Sequence, residues 1–363
     1  MLNEIGDSHG CVRAPTGNLA GSRLVWYPPT DPMTHRVTRT TLVMTLVLGQ
    51  VACARQVVPP VGADATEAYS MLGRRLERPQ MEPEPLTKLK DDLATASKAL
   101  ARSPSNPDSL IWVGRRLAYL GRYREALDTF TVGAQRFPRD ARFLRHRGHR
   151  YLTVRRASRA VEDLTKAAQL IAGTPDVIEP DGAPNARNIP LSTLQFNIWY
   201  HLGLAHYLNG DYARALAAYD ACMKVSTNPD LQVATSYWRY LTLRHLKRDS
   251  EADSMLAIAR ANPELIENGS YLKLLRLFAG LEQIGSVQPR DQSRASVADA
   301  TTAYGVSMWH LLNGREREAR EEWRRISESP AWASFGVVAA EAELSRLRQG
   351  DNRRDVPRRS PDR

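Results

Sequence analysis

A 34-residue period constrains the fold of this chain more than any other feature of its sequence. The segments LIWVGRRLAYLGRYREALDTFTVGAQRFP and LRHRGHRYLTVRRASRAVEDLTKAAQLIA align with a 34-residue offset. The recurring positions are Leu110, Gly114, Ala126 and Phe130 in the first segment and Leu144, Gly148, Ala160 and Leu164 in the second. A fixed period of this length is typical of stacked supersecondary units that bury their apolar faces against one another.

A third copy of the pattern lies in WYHLGLAHYLNGDYARALAAYDAC. Its matching positions are Trp199, Leu202, Gly203, Tyr212, Ala215 and Tyr219. Small residues such as Gly203 and Ala215 allow two helices to approach closely, and a large one such as Tyr219 fills the space between them. The pattern therefore predicts a helix pair in each unit.

Helix boundaries are marked by capping residues. Asn106 followed by Pro107 is typical of an N-cap with proline at the first helical position. Gly121 and Gly210 are placed to end the first helix of their units in the left-handed conformation.

These residues resemble the tetratricopeptide repeat, whose pattern is W-x2-L-G-x2-Y, then A-x3-F, then Pro. The match is strong over 107–140 and 196–229, and weaker over 237–263 and 304–326. Unit 141–174 departs from the pattern, since Arg147 stands where leucine is usual and Arg155 replaces the turn glycine. The resemblance implies an all-α fold, a right-handed α-solenoid of helix-turn-helix repeats with helical caps.

The chain is predicted to contain six segments, and helices within the caps are expected over 66–78, 86–102 and 330–347. The segments are an N-terminal extension (1–32) that precedes the true start at Met33, a signal peptide (33–53), a flexible linker (54–65), N-terminal capping helices (66–106), a solenoid of about five units with an inserted loop at 173–191 (107–348), and a basic disordered tail (349–363).

The segment MTHRVTRTTLVMTLVLGQVACARQ has the order of a secretory signal: a charged start, about a dozen apolar residues, then small residues. That apolar run is too short to span a bilayer as a helix. The end, QVAC, resembles a bacterial lipobox with Gln50 in place of the usual leucine. The resemblance implies lipidation of Cys53 and an exported, outer-membrane-anchored lipoprotein. Cleavage after Ala54, which gives a soluble periplasmic protein, is the alternative.

Basic and aromatic side chains recur at equivalent positions of the first helices. Arg142, Arg145 and His149 lie on one helical face by their spacing. The family resemblance implies that such positions line a concave groove, and the equivalent positions in other units are Arg115, Tyr119, Asn197, Tyr200 and Tyr207. Arginine with tyrosine suits an extended acidic or aromatic peptide. The alternative is that these arginines only pair with nearby acids and keep the helix soluble.

We predict no catalytic residue, metal or cofactor. The three cysteines show no C-x-x-C spacing, and Cys222 is expected to be a buried, inert thiol. His146 and His149 are three apart, but their arginine neighbours repel a cation. The sequence contains neither a glycine-rich phosphate loop nor a G-x-S-x-G motif.

The leading functional hypothesis is a non-catalytic exported scaffold that binds proteins or peptides. A second hypothesis is a small-ligand receptor or enzyme whose site lies between the groove and loop 173–191. In that case Asp181, Asn185 or Arg187 should point at Arg145 or His149. The third keeps Met1 and makes the chain a cytosolic nucleic-acid-associated scaffold, which its net charge of +10 permits. No RNA-binding motif supports it, so no nucleic-acid partner is expected.

Overall fold

The computed structural model describes residues 65–288 and 296–354, with side chains as far as Gln349. The predicted extension, the signal peptide with Cys53 and nearly all of the linker lie outside the described residues, as do residues 355–363 of the tail. No helix in the described part of the chain is both long and apolar enough to cross a bilayer.

The described chain begins with an antiparallel hairpin of β1 (Thr66–Tyr69) and β2 (Arg75–Glu77). The predicted helix over 66–78 is therefore wrong. Ser70 Oγ accepts from the backbone N–H of Leu72 and Arg74, and Gly73 adopts a φ of 90°. Local turn chemistry here outweighs the helical pattern of the flanking residues.

The other described elements are helices, and consecutive helices pack against each other as antiparallel units would. They are α1 (Pro83–Arg102), α2 (Pro107–Tyr119), α3 (Tyr123–Arg136), α4 (Ala141–Thr153), α5 (Ala157–Leu170), α6 (Leu194–Leu208), α7 (Tyr212–Lys224), α8 (Pro229–His245), α9 (Asp249–Met255), α10 (Ala257–Ala261), α11 (Gly269–Phe278), α12 (Ile284–Val287), α13 (Val297–Leu312), α14 (Glu316–Ser327) and α15 (Phe335–Arg354).

The five predicted units correspond to the pairs α2/α3, α4/α5, α6/α7, α8/α9 and α13/α14, and the predicted all-α repeat fold is confirmed. Helices α10, α11 and α12 stand between the fourth and fifth pairs. The sequence pattern predicted neither α11 nor α12. The second half of the chain is thus less regular than the first, as its weaker repeat matches indicate.

Close helix approach within a unit depends on the predicted small residues. A Cβ placed on Gly203 would lie 2.6 Å from the Tyr219 ring, and one on Gly114 would lie 2.5 Å from the Phe130 ring. Both rings are almost fully buried. These glycines are therefore required because the partner ring occupies the space of a side chain.

The turns between paired helices use the left-handed conformation, with or without glycine. The φ values are 69° at Gly121, 62° at Arg155, 76° at Gly210, 58° at Lys247 and 73° at Gly314. An L-residue with a side chain is strained in this region, so Arg155 and Lys247 must be held there by their surroundings.

The last helix, α15, differs from its predicted bounds of 330–347. It begins at Phe335, after Ser334, and its backbone continues to Arg354, six residues into the segment predicted to be a disordered tail. It packs against α13 and α14 and also touches α4 and α6. The first and last described elements also meet, since Met71 N donates to Glu341 Oε2 at 3.0 Å and Trp332 Nε1 donates to Glu77 O at 2.9 Å.

Candidate functional site

Loop 173–191, which we call the strap, lies across the first helices of the first three units. Arg115 Nη1 donates to Pro180 O at 2.8 Å, and Arg116 Nη1 donates to Gly182 O at 2.9 Å. Just before these residues, the strap pairs with the chain that precedes α6 through an isolated bridge between Ile178 and Thr193. The insertion is therefore folded onto α2, α4 and α6.

Glu179 is the centre of this contact. Its Oε2 lies 3.0 Å from Arg145 Nε and accepts from Asn197 Nδ2 at 3.1 Å. The side chains of Glu179 and Arg145 are only 9% and 8% exposed. The strap thus places the Glu179 carboxylate against the buried guanidinium of Arg145 on α4 and the side-chain amide of Asn197 on α6.

His146 contributes to the site as a neutral group. Its Nε2 lies 3.5 Å from Glu179 Oε1, and its Nδ1 lies 2.9 Å from Arg145 Nη1. Burial, reinforced by the positive charge of Arg145, holds the pKa of His146 well below its usual range. The charge that binds Glu179 therefore comes from Arg145, although burial lowers the pKa of that guanidinium too.

Two further arginines add positive charge beside Arg145. Arg115 lies over the Trp112 ring at 4.5 Å, and Arg150 lies over the Tyr123 ring at 5.6 Å. Burial lowers the pKa of Arg150 to about 10, and no carboxylate of the described residues lies within ion-pair distance of it. Beside the strap, the positive charge of the arginines therefore exceeds the negative charge of the nearby carboxylates.

Tyr200 and Tyr207, both predicted groove residues, lie in buried hydrogen-bond networks. Tyr200 Oη accepts from Trp238 Nε1 at 2.8 Å and lies 3.1 Å from Tyr271 Oη. Tyr207 Oη lies 2.7 Å from Tyr304 Oη. These tyrosines bind other parts of this chain, so an incoming ligand meets them only if the chain rearranges.

The other predicted groove residues divide between the interior and the edge. His149 stacks on His201 with ring centroids 4.3 Å apart and contacts Phe335 of α15 at 5.4 Å. Burial holds the pKa of His149 well below its usual range. At the edge, Arg142 pairs with Asp140, the N-cap of α4, and reaches Asp108 at 2.6 Å.

Tyr119 limits the shape of the strap. Its hydroxyl accepts from Arg115 Nη2 at 3.2 Å. A Cβ on Gly182 would collide with that hydroxyl and would lie 2.7 Å from Arg115 Nη2. Any other residue at this point would therefore displace the ends of the Tyr119 and Arg115 side chains.

The strap residues predicted to complete a pocket do not converge on Arg145. Asn185 Nδ2 donates to Glu267 Oε1 at 2.8 Å, and Arg187 Nη2 donates to Glu264 Oε1 at 2.7 Å, so both side chains hold the far end of the strap. Asp181 is half-buried, and burial raises its pKa against the opposing charge of Arg115. The sequence shows several acids in the strap, but nothing in it singles out Glu179 as the one that reaches Arg145.

Helix pairs that stack through small-residue contacts, with a basic face on their first helices, define a helical-repeat protein. A family model described as Tetratricopeptide repeat matches residues 196–228, which hold α6 and α7. Residues 196–228 are therefore similar to one tetratricopeptide repeat, which spans this helix pair. No curated protein matches the chain in sequence.

Several solved structures are similar to this chain. The crystal structure of MamA protein is 15% identical, with a TM-score of 0.38, and the match covers 50% of this chain and 90% of that one. YrrB, described as a TPR protein with an unusual peptide-binding site, is 11% identical, with a TM-score of 0.38 and coverage of 70% and 97%. A tetratricopeptide repeat protein from Parabacteroides merdae is 14% identical, with a TM-score of 0.44 and coverage of 71% and 92%. Similarities this low carry no argument about what this chain binds.

Proposed function

We propose that this protein is a non-catalytic scaffold that binds acidic segments of proteins or peptides. The binding surface is the basic first-helix face, which is the side of α2, α4 and α6 that faces the strap. The observation that carries this proposal is the way the face holds Glu179. Arg145 and Asn197 bind the carboxylate, while Arg115 binds the backbone beside it. A surface that binds both side chain and main chain in this way suits an extended acidic polypeptide.

The balance of charge also favours an acidic partner. Glu179 neutralises one of three neighbouring arginines, and Arg150 has no carboxylate partner among the described residues. An uncompensated guanidinium in a partly desolvated site gains more from a second carboxylate than an exposed one would. Acidic segments should therefore bind better than neutral segments of equal length.

The test compares two variants with the same change of charge. Arg115→Glu removes a strap-facing arginine on α2, and Arg136→Glu is the control on α3, where Arg136 donates only to Pro104 O. Ten-residue peptides with three or more acidic residues should lose at least about tenfold in affinity for Arg115→Glu, by loss of a charge-assisted hydrogen bond. They should bind Arg136→Glu as they bind the wild type. Equal losses in both variants, or equal binding of neutral peptides, would contradict the proposal.

We also propose that the scaffold is exported and anchored to the outer membrane through a lipidated Cys53. The support is the order of charged, apolar and small residues over 33–53 and the lipobox-like QVAC end. Mass spectrometry of the mature N-terminus tests this. A diacylated or triacylated Cys53 is expected, cleavage after Ala54 would indicate soluble export, and an intact Met1 would overturn the proposed location.

A further inference from the structure

The strap has the character of a peptide bound to the first-helix face. Around Glu179 it makes backbone hydrogen bonds through the carbonyls of Pro180 and Gly182, which accept from arginines of α2. Its carboxylate binds Arg145 and Asn197. Backbone acceptors and one anchoring side chain are what an extended ligand would offer to this surface.

The strap is held mainly by polar contacts. Three of its four large apolar side chains face solvent, since Val177, Ile178 and Ile189 are 53%, 63% and 45% exposed and only Leu191 is half-buried. The Arg187–Glu264 pair at its far end is exposed on both sides, and such pairs stabilise a contact little in water. Release of the strap would therefore expose little apolar surface, so a competing acidic segment could replace its contacts.

We infer that the strap is an internal competitor for the ligand site, and that the ligand in trans is an extended peptide with glutamate followed by glycine three residues later. The inference rests on the proposed function. The glutamate takes the place of Glu179 on Arg145. Glycine takes the place of Gly182, where a Cβ would have to displace the ends of the Tyr119 and Arg115 side chains.

Competition from the strap sets how tightly such a peptide binds. A tethered segment acts at a high effective concentration, and the apparent affinity of a free ligand falls by the fraction of molecules whose site is open. A substitution that weakens the ion pair between Glu179 and Arg145 should therefore increase the apparent affinity for a free peptide. It should do so although Glu179 lies outside the surface that the peptide contacts.

The experiment uses a labelled peptide of residues 176–184, DVIEPDGAP, with blocked ends, titrated against the full chain. Glu179→Gln should bind it at least about tenfold more tightly than the wild type. Glu162→Gln, which removes a carboxylate that pairs only with the exposed Arg159, is the matched control and should bind like the wild type. A peptide with glutamine for the glutamate should lose at least about tenfold in affinity for Glu179→Gln. A peptide with alanine for the glycine should also bind more weakly, because its Cβ displaces the Tyr119 and Arg115 side-chain ends.

Equal affinity of the wild type and Glu179→Gln, undiminished binding of either altered peptide, or no binding to any variant would overturn the inference. Hydrogen exchange on the wild type tests it without a substitution. Saturating peptide should speed exchange of the Glu179 amide, which donates to Ser192 O, and unchanged protection would also overturn it.

Failure here is distinguishable from failure of the proposed function. If acidic peptides bind the wild type through Arg115 but Glu179→Gln gives no gain, the scaffold function stands and the strap does not compete. If Glu179→Gln binds the strap peptide while the wild type binds no acidic peptide, the strap does occupy its own site and the scaffold function fails.

Discussion

Arg155 shows how a single residue can be kept in a strained conformation by a distant partner. It takes the left-handed turn position that glycine occupies at Gly121 and Gly210. Its guanidinium donates to both carboxylate oxygens of Glu341, at 3.0 and 2.8 Å, and the two side chains are 3% and 0% exposed. The departure from the repeat pattern at this turn therefore has a structural cause 186 residues away.

Arg155→Gly should lower the free energy of unfolding by about 3–5 kcal/mol, because it leaves Glu341 buried without a counter-charge. Lys247→Gly is the matched control, since Lys247 has a similar φ of 58° and its side chain is exposed. There the relief of strain, roughly 1 kcal/mol, should leave stability unchanged or raised. Urea denaturation measures the free energy of unfolding of both variants. Equal changes in the two would contradict the role of the Arg155–Glu341 pair.

Cys222 is buried, as the sequence predicted, and burial raises the pKa of its thiol to about 12. A free thiol has a pKa near 8.5, so at neutral pH the thiolate fraction should be roughly a thousandfold below that of a free cysteine. In a Cys11→Ser/Cys53→Ser background, iodoacetamide should leave Cys222 unmodified until denaturant is added. Rapid labelling of the native protein would show that this thiol is accessible.

At the scale of elements, α4 illustrates what the sequence could and could not predict. The 34-residue register predicted Gly148 against the second helix of its unit and Arg145 on another face, and the strap lies against Arg145. The same register could not show that Glu179 of this chain would meet Arg145, because contacts of an inserted loop depend on tertiary packing. Turn chemistry around Ser70 and Gly73 was likewise hidden within a helix-like pattern.

Histidines that stay neutral in the folded protein should make stability depend on pH, and the strongest effects are expected on α4 and α6. Burial holds the pKa values of His146, His149 and His201 well below the usual range, so they are neutral in the folded protein. The unfolded chain takes up their protons near pH 6.5. Their contribution to stability is therefore present above about pH 6.5 and is lost as pH falls, with a slope of up to about 1.4 kcal/mol per pH unit for each histidine.

Urea denaturation between pH 7.5 and 5.5 measures this dependence. Each histidine should contribute separately, so His201→Gln should reduce the slope by up to about 1.4 kcal/mol per pH unit. The partly exposed His310 gives a control, because replacing it should change the slope less than replacing His201. A flat stability profile across this range would contradict the burial of neutral histidines.

At the scale of the described chain, the N-terminal hairpin and the C-terminal helix stabilise each other. Trp332, just before α15, donates to Glu77 O, and Arg74 Nη2 donates to Ser327 O at 2.6 Å. The terminal units of a linear repeat array usually open more easily than central ones. The sequence predicted caps at both ends, but period and composition carry no information on contacts between them.

Hydrogen exchange should show the hairpin and α15 opening together. Trp332→Phe removes the hydrogen bond to Glu77 O, worth about 1 kcal/mol, and should speed exchange of β1, β2 and α15 amides about fivefold. Trp309→Phe is the control, since Trp309 lies on α13 and the Arg315 guanidinium lies over its ring at 4.1 Å. Faster exchange in the hairpin with no change in α15 would show that the two ends open independently.

The bond from Met71 N to Glu341 Oε2 joins residues 270 positions apart. A ribosome makes the hairpin among the first described residues and Glu341 among the last, so the hairpin lacks this acceptor for most of synthesis. Contacts at such separation are also slow to form because they close a very long loop. A nascent or exported chain therefore completes its fold only when its final helix has emerged. A chain that stops before Glu341 leaves both the Met71 amide and the Arg155 guanidinium without this carboxylate.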